Sequence, residues 1–367
     1  MGRHPFGIRQ RGQKVTLACR SGSASIFVER HSTLSLFLCK CLKFVRRLCA
    51  PEEAILKLTS LLPGLLLVAG PALAVPYSFT ALPTSFSATA LNDAGQIAGV
   101  DQFSSSPGGF PLPALYDRGS VTQLNLPASF DTMVTGINNA GDLVGEQVFR
   151  FTSPFAVFGG VLTSFAAPGN TSGGIQANGL NNHRQIVGSA AVYTPGQGSV
   201  THGYVSSGSS YAFVDVPGAF STDATGINDA GQIVGNFSVI GPLGQQGFLD
   251  NAGIFTTIDR PGAQSTSPIA VNNAGEVAGT YTDATGEHGF TEIGGVFNDI
   301  TGPNGAAFLP VDLNNLGQLI GAFGGTSGPS YLATPQSTAV PEPAALPLLG
   351  GGLIALALIR RRRAVQG

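Results

Sequence analysis

The chain of 367 residues has no tryptophan, and its four cysteines, Cys19, Cys39, Cys41 and Cys49, all lie in the first 55 positions. Disulfides therefore cannot stabilise anything downstream, even in an oxidising compartment. A packed core must do so, and a segment of roughly 260 residues is long enough to build one. Without tryptophan, any contact with a glycan relies on tyrosine or phenylalanine.

Positive charge is also scarce in the middle of the chain. Between residues 75 and 359 there is no lysine, and four arginines, Arg118, Arg150, Arg184 and Arg260, stand against 18 acidic residues. This segment carries a charge near −14. Such a surface repels phosphate backbones and anionic lipid headgroups, so we predict that nucleic acid is not a partner.

Motifs for catalysis and metal binding are missing as well. The segment has no G-x-S-x-G elbow, no Walker loop, no H-E-x-x-H pair and no D-x-D-x-D-G calcium loop. Acidic side chains can bind Ca²⁺, but no spacing favours it here. We therefore predict neither a cofactor nor a metal site.

The amino-terminal part contains an export signal. Lys57 precedes an apolar stretch that ends in Ala72-Leu73-Ala74, the charge, apolar core and small-residue cleavage pattern of a signal peptide over residues 56–74. Residues 1–55 have no role in that scheme. We predict that they are either not translated, with the start codon at the position of Leu56, or disordered. The alternative is a real extension that binds metal through Cys39 and Cys41, although no partner cysteine or histidine lies at zinc-site spacing.

The carboxyl-terminal part contains a second targeting segment. A linker over residues 336–343 ends in Val340, Pro341, Glu342 and Pro343, and an apolar run over residues 344–359 follows. Sixteen residues reach about 24 Å as a helix, slightly less than the ~30 Å hydrocarbon core of a bilayer. The basic tail over residues 360–367 begins with Arg360, Arg361, Arg362 and Arg363. Such residues stay on the cytoplasmic side, so we predict one transmembrane helix with the rest of the chain exported.

Pro-Glu-Pro, a single apolar span and an arginine cluster, in that order, resemble the PEP-CTERM sorting tail. The resemblance implies processing by an exosortase-like enzyme and delivery to the cell surface or the exopolysaccharide matrix of a Gram-negative bacterium. It also implies transient anchoring in the inner membrane before processing. An ordinary carboxyl-terminal membrane anchor is the alternative.

The exported segment is built from six copies of one pattern. The first copy runs from Ala90 to Gly99, and the asparagine third in each copy recurs after 46, 43, 47, 44 and 42 residues. These asparagines are Asn92, Asn138, Asn181, Asn228, Asn272 and Asn314. The varying spacing places insertions in loops around a constant core.

Each copy predicts a tight turn between two strands. The asparagine side chain caps the turn, and a glycine three positions later supplies the positive φ that a type I turn with a bulge requires. The glycines are Gly95, Gly141, Gly231, Gly275 and Gly317. The third copy has Arg184 at this position, so its turn should be strained or built differently.

Two further strand-like runs separate the turns, for example residues 202–205 and 212–218. Four strands in about 44 residues are typical of a propeller blade. The His-Gly-aromatic, Asp-x-Pro-Gly-Ala and Asn-x-x-Gly elements together resemble the HAF family of bacterial extracellular repeats over residues 77–334. We predict an all-β, six-bladed propeller over residues 75–335, in which Tyr77–Pro83 completes the last blade beside Ser330–Ala333. An open β-solenoid is the alternative, although no capping element is present.

Two classes of function remain open. The first is a non-catalytic surface or matrix protein that binds polysaccharide or another matrix protein. His202 and His288 occupy equivalent positions in two copies, which favours a structural role in the blades over catalysis. His183 lies in the irregular turn, where a solvated loop residue is expected. Asp215, Asp259 and Asp299 recur at equivalent strand ends, which favours turn capping. The alternative is a carbohydrate-active enzyme with catalytic residues at non-repeated positions. Its candidates are Glu146, Arg150, Asp223 and Glu287.

Overall fold

A computed structural model describes most of the repeat segment and two short stretches near the amino terminus. The described residues are 14–19, 22–27, 76–105, 111–126, 131–148, 152–163, 165–168, 171–196, 198–240, 244–324 and 328–336. The chain divides into two units, Met1–Gly70 and Pro71–Gly367. In the first unit, β1 (Lys14–Cys19) and β2 (Gly22–Phe27) form an antiparallel pair.

The predicted targeting segments lie outside the described residues. These are the signal peptide with Ala72 and Ala74, the sorting motif, the apolar span over residues 344–359 and the basic tail. Within the part of the chain that the structure describes, no helix is both long and apolar enough to cross a membrane.

The second unit contains six antiparallel four-stranded sheets, as predicted for a six-bladed propeller. Blade 1 consists of β4 (Phe86–Leu91), β5 (Ile97–Ser105), β6 (Pro111–Asp117) and β7 (Ser120–Gln123). Blade 2 consists of β8 (Asp131–Ile137), β9 (Leu143–Val148), β10 (Thr152–Phe158) and β11 (Val161–Thr163). Blade 3 consists of β12 (Thr171–Leu180), β13 (Gln185–Thr194), β14 (Gly198–Ser207) and β15 (Ser210–Val214).

The remaining blades repeat this order. Blade 4 consists of β16 (Ser221–Ile227), β17 (Ile233–Ser238), β18 (Gln246–Asn251) and β19 (Ile254–Ile258). Blade 5 consists of β20 (Ser265–Val271), β21 (Val277–Asp283), β22 (Gly286–Ile293) and β23 (Val296–Ile300). Blade 6 consists of β24 (Phe308–Leu313), β25 (Leu319–Phe323), β26 (Ser330–Pro335) and β3 (Tyr77–Ala81).

Closure of the ring joins the two ends of the repeat segment. Strand β3 pairs with β26, with Thr80 opposite Leu332, so the first strand of the segment becomes the fourth strand of blade 6. Because a closed ring leaves no blade incomplete, it needs no capping element. The closed propeller is confirmed, and the open solenoid is wrong.

The hydrophobic core fills the spaces between neighbouring blades. Aromatic side chains of the third strands, Tyr204, Phe248 and Phe290, have no exposed surface. Phe248 of blade 4 belongs to one cluster with Val187 of blade 3. Each blade is therefore stabilised mainly by apolar surface that its neighbour covers, which explains why one repeat cannot fold alone.

The glycine that closes each repeated pattern allows two strands of a blade to come close together. A Cβ atom on Gly235 would overlap the carbonyl oxygen of Asp223 in the paired strand, and it would lie 2.8 Å from the ring of Phe248. Any larger residue would push the first two strands apart.

Candidate functional site

The repeated asparagines form a closed ring at one end of the propeller axis. Each of the six is 3–4% exposed. Each side-chain amide donates a hydrogen bond to the backbone carbonyl of the equivalent asparagine in the next blade, and Asn314 returns to Asn92 at 3.1 Å. The same side chain also accepts backbone N–H groups of its own turn, such as Gln96 N–H at 3.0 Å. One residue type thus builds the turn and links the blades.

The glycines of these turns adopt the left-handed conformation, with φ between +71° and +77° at Gly95, Gly141, Gly231, Gly275 and Gly317. Arg184 adopts φ +59° at the corresponding place. Its backbone N–H donates to Asn181 O at 3.1 Å, as the glycine N–H groups do in the other turns. The third turn is therefore built like the others, with a non-glycine residue in a conformation that L-residues rarely adopt.

A second polar ring lies on the outer side of the first. The residue after each asparagine donates its backbone N–H to the side-chain oxygen of its counterpart in the next blade. Four of these residues are asparagines, and Asp93 and Asp229 stand at opposite places in the ring. Each aspartate accepts the side-chain amides of the asparagines on both sides. Although burial acts against it, these donors hold the pKa of Asp229 below its ordinary value.

A cavity of about 120 Å³ lies on the axis at this ring. Among its lining residues are Thr135, Asn178 and Thr225, which occupy β-bulges in the first strands. Asn178 and Thr225 donate hydrogen bonds to backbone carbonyls of the next blade at 2.9 and 3.0 Å, and Thr135 bonds to Ala177 O. The polar lining thus holds neighbouring blades together, and the cavity is too small for a sugar ring.

Asp312 borders the same cavity at a position where the other repeats have glycine or alanine. Its carboxyl group accepts the backbone N–H of Leu91 at 2.7 Å, across the junction where blade 6 meets blade 1, and that of Leu313 at 2.8 Å. Burial raises the pKa of Asp312 to about 7, against the effect of these two donors. A titratable group therefore lies at the junction that closes the ring.

Blades 2 and 3 are joined by an ion pair at their asparagine turns, and no other asparagine turn in the described part of the chain has one. Arg184 of blade 3 donates from Nε and Nη2 to the two carboxylate oxygens of Asp142 of blade 2, at 2.8 and 3.2 Å. Asp142 is buried, and it also accepts N–H groups of Gly159 and Asn138. Although burial acts in the other direction, these donors hold the pKa of Asp142 below its ordinary value.

A groove of about 620 Å³ opens beside this ion pair, and we call it the 2/3 groove. Phe158, Phe165, His183, Arg184, Thr163 and Ser209 contribute to its lining. The Arg184 guanidinium lies 4.9 Å from the centroid of the Phe158 ring, and 51% of its side chain is exposed. This volume is within the ~300–1,000 Å³ of small-molecule sites, and the lining combines aromatic rings with hydrogen-bond donors.

Two of the four candidate catalytic residues come near each other. Glu146 lies on β9 of blade 2 and Asp223 on β16 of blade 4, on either side of blade 3. Burial raises the pKa of Glu146 to about 7. The hydrogen bond from the backbone N–H of Ala177 lowers this pKa, and the negative charge of Asp223 raises it further. Burial also raises the pKa of Asp223, although Ser189 and Asn178 donate to it.

The other two candidates are not part of this pair. Glu287 is an exposed residue on β22, the third strand of blade 5. Arg150 lies outside the described residues. No group of three or more His, Cys, Asp or Glu side chains suited to a metal ion occurs among the residues that the structure describes.

The histidines and the strand-end aspartates contact one another or an arginine. His202 Nδ1 lies 2.9 Å from Asp215, and Arg260 donates to both oxygens of Asp299 at 2.8–2.9 Å. His288 lies 2.8 Å from Thr285. Asp215 therefore bonds to a histidine and Asp299 forms an ion pair, while Asp259 accepts a contact of 3.5 Å from the Thr266 hydroxyl.

Sequence reasoning missed the bulge residues, Asp142 and Asp312. The bulges have no turn signature, and the ion pair joins residues 42 positions apart. Comparison of the copies does contain a signal. Asp142 stands where the other copies have glutamine or glutamate, and Arg184 stands where they have glycine. The two positions are adjacent in the pattern, and the two changes occur in consecutive repeats. Two coupled departures in neighbouring blades indicate a local contact.

Comparison with known proteins identifies a sorting motif in the carboxyl-terminal part of the chain. Residues 339–363 match the PEP-CTERM protein-sorting motif. This motif is the recognition tail for exosortase processing, so the molecule is a six-bladed propeller with the tail of an exosortase-sorted extracellular protein. No curated protein matches the chain.

Several solved propellers are similar in fold at low sequence identity. The β-propeller domain of the Trilobed protease from Pyrococcus furiosus is 11% identical with a TM-score of 0.46, and the match covers 71% of this chain and 84% of that one. The Aleuria aurantia lectin is 11% identical with a TM-score of 0.38, over 71% of this chain and all of the lectin. Trypanosoma rangeli sialidase is 10% identical with a TM-score of 0.39, over 69% and 54%.

Proposed function

We propose that this protein is a non-catalytic component of the cell surface or extracellular matrix that binds polysaccharide through the 2/3 groove. The 2/3 groove is the observation that supports a binding role. Aromatic rings and fixed hydrogen-bond donors line it together, and its volume is that of a ligand site. The axial cavity is too small for a sugar ring, and its polar groups bond to neighbouring blades.

The proposed route to that location follows from the two ends of the chain. A signal peptide over residues 56–74 directs export, and the span over residues 344–359 anchors the chain in the inner membrane until an exosortase-like enzyme removes the tail. The blades are extracellular repeats of the HAF type. The partner in the matrix is exopolysaccharide or another matrix protein.

Mass spectrometry of both termini, on protein recovered from envelope and matrix fractions, tests the route. We expect a matrix product that begins at Val75 and ends near Pro341–Pro343. Co-sedimentation of the same product with purified exopolysaccharide tests the binding role. A product that keeps Arg360–Arg363 and remains in the membrane fraction would contradict the proposal and indicate an ordinary anchor.

A second candidate function, a carbohydrate-active enzyme, has one observation in its favour. Glu146 and Asp223 are unique among the repeats, and each has a raised pKa, as the general acid of a glycosidase requires. The test is release of reducing sugar from exopolysaccharide by the full chain and by Glu146→Gln and Asp223→Asn variants. Release by the wild type that both substitutions abolish would favour the enzyme.

A further inference from the structure

The 2/3 groove is an exception to the charge of the exported segment. That segment has four arginines against 18 acidic residues, yet the groove is lined by both Arg184 and His183. Its neighbouring acid, Asp142, is 1% exposed and lies behind the guanidinium. A ligand in the groove therefore meets hydrogen-bond donors, and the described residues that line the groove include no carboxylate.

Among the described residues, the Arg184 guanidinium makes its hydrogen bonds through one edge. Nε and Nη2 donate to Asp142, which accounts for the side edge of the planar group. A guanidinium carries five N–H donors in a rigid fork, so the end edge formed by Nη1 and Nη2 keeps donors for a second planar acceptor. Half of the side chain is exposed, and Asp142 and the Phe158 ring hold the group in place.

The position of this arginine is not needed to build the propeller. The other five turns have glycine at this place, and four turns, that of Arg184 among them, have glutamine at the place of Asp142. In those turns the glutamine oxygen accepts the asparagine amide at 2.8–2.9 Å, as the Asp142 carboxylate does at 3.1 Å. The arginine side chain at this positive-φ position is thus not required for turn formation.

We propose, on the basis of the polysaccharide-binding role above, that the 2/3 groove binds a carboxylated sugar, a uronic acid unit of an acidic polysaccharide. The sugar carboxylate pairs with the end edge of the Arg184 guanidinium. The apolar face of the pyranose ring packs against Phe158 or Phe165, since the chain has no tryptophan for this contact. Thr163 and Ser209 supply hydroxyl groups at the rim.

The test compares the full chain with a variant that restores the common repeat pattern. Asp142→Gln together with Arg184→Gly gives blade 2 and blade 3 the residues that the other turns carry, so the fold is retained while the groove loses its cation. Sodium polygalacturonate is the probe, dextran is the neutral control polymer, and poly-glutamate is the peptide control. Isothermal titration measures the affinity per monosaccharide unit.

We expect wild-type protein to bind polygalacturonate and the double variant to bind at least about tenfold more weakly. Arg118→Gly is the matched control, because it removes an 89% exposed arginine with φ +48° from a turn of blade 1 and should leave binding unchanged. Phe158→Ala should also weaken binding to polygalacturonate.

Three other results would overturn the inference in different ways. Equal binding by the wild type and the double variant would place the polysaccharide outside the 2/3 groove, so that of the proposed function only polysaccharide binding at the surface or in the matrix would remain. Binding of poly-glutamate at the same affinity would identify a peptide carboxylate as the ligand. Failure of the wild type to bind polygalacturonate, dextran and native exopolysaccharide would contradict the proposed function itself.

Discussion

At the scale of residues, the outer polar ring balances its donors and acceptors. Six side-chain oxygens accept six backbone N–H groups of neighbouring blades. Four asparagine amides then remain as donors, and the second oxygens of Asp93 and Asp229 accept two each. Two aspartates among six positions is therefore the composition that gives each asparagine amide of this ring one carboxylate acceptor.

We predict that Asp229→Asn destabilises the propeller by about 1–2 kcal/mol, because an amide would then face the amides of Asn182 and Asn273. Urea unfolding followed by circular dichroism measures this, since the chain has no tryptophan for fluorescence. Glu287→Gln removes the same charge from an exposed strand and should leave the midpoint unchanged. Equal midpoints for the two variants would contradict the role of the ring.

The Asp142–Arg184 pair gives a second prediction at this scale. Arg184→Gly relieves the positive φ but leaves a buried carboxylate without its cation, so we expect a net loss of about 2 kcal/mol in the free energy of unfolding. Adding Asp142→Gln should recover most of that loss. A double variant less stable than the single one would show that the pair contributes more than the common repeat pattern does.

The sequence predicted the asparagine turns residue by residue, since an Asn followed by a glycine three positions later is a local signal. It did not predict that each asparagine also bonds to the next blade. That bond joins residues about one repeat apart, and only the assembled ring brings them together.

At the scale of elements, strand β3 decides whether the ring is closed. The Phe79 side chain on this strand lies 5.1 Å from the ring of Phe308 and 5.0 Å from that of Phe323, measured between centroids. Backbone pairing with β26 covers an edge that would otherwise remain open. Blade 6, at the end of the repeat segment, is thus completed by β3, the first strand of that segment.

We predict that Phe79→Ala destabilises the protein by about 2 kcal/mol, less than a fully buried phenylalanine because its side chain is half-buried. Loosening of β3 should also expose β26 and cause association that increases with protein concentration. Urea unfolding and size-exclusion chromatography measure the two effects. Thr80→Ala on the exposed face of β3 is the control, and a Phe79→Ala protein with unchanged stability would contradict the role of this strand in closure.

The sequence indicated this closure from the composition of residues 77–83, because β propensity and spacing are visible in the chain. The bulges in the first strands were not predicted. A bulge adds one residue without a turn signal, and its position follows from how the inner strands pack around the axis.

At the scale of the whole molecule, acidic side chains make the stability depend on pH. Glu146, Asp223, Glu276 and Asp312 have raised pKa values because of burial, and Asp142, Asp229 and Asp283 have lowered ones. The first group holds protons that the unfolded chain releases above about pH 4. Its contribution is therefore complete at low pH and is lost as the pH rises towards 7.

We predict that the free energy of unfolding falls between pH 5 and pH 8, with Asp312 and Glu146 among the contributors, since burial raises the pKa of each to about 7. The pKa of Asp312 rises from 3.8 to about 7, and the part of this shift above pH 5 corresponds to about 3 kcal/mol at most. The Asp312→Asn variant should show a smaller difference between pH 5 and pH 8. An unchanged difference would contradict this assignment.

The lowered group acts in the opposite direction and at lower pH. Its carboxylates stabilise the folded state above their unfolded pKa near 4, and this stability is lost as the pH falls below that value. Together the two groups place the maximum stability in mildly acidic solution, which a series of thermal unfolding curves from pH 3 to pH 8 can locate.

The sequence by itself determined the six repeats, their turns, the strand that closes the ring and the sorting tail, because each of these depends on patterns within a few dozen consecutive residues. Tertiary structure alone decided which side chains meet between blades. Asp142 bonds to Arg184, and Asp312 bonds to the backbone of Leu91, and the two members of each pair come from different repeats. Their contacts depend on the rotation from one blade to the next and on burial between blades, which no local pattern in the chain encodes.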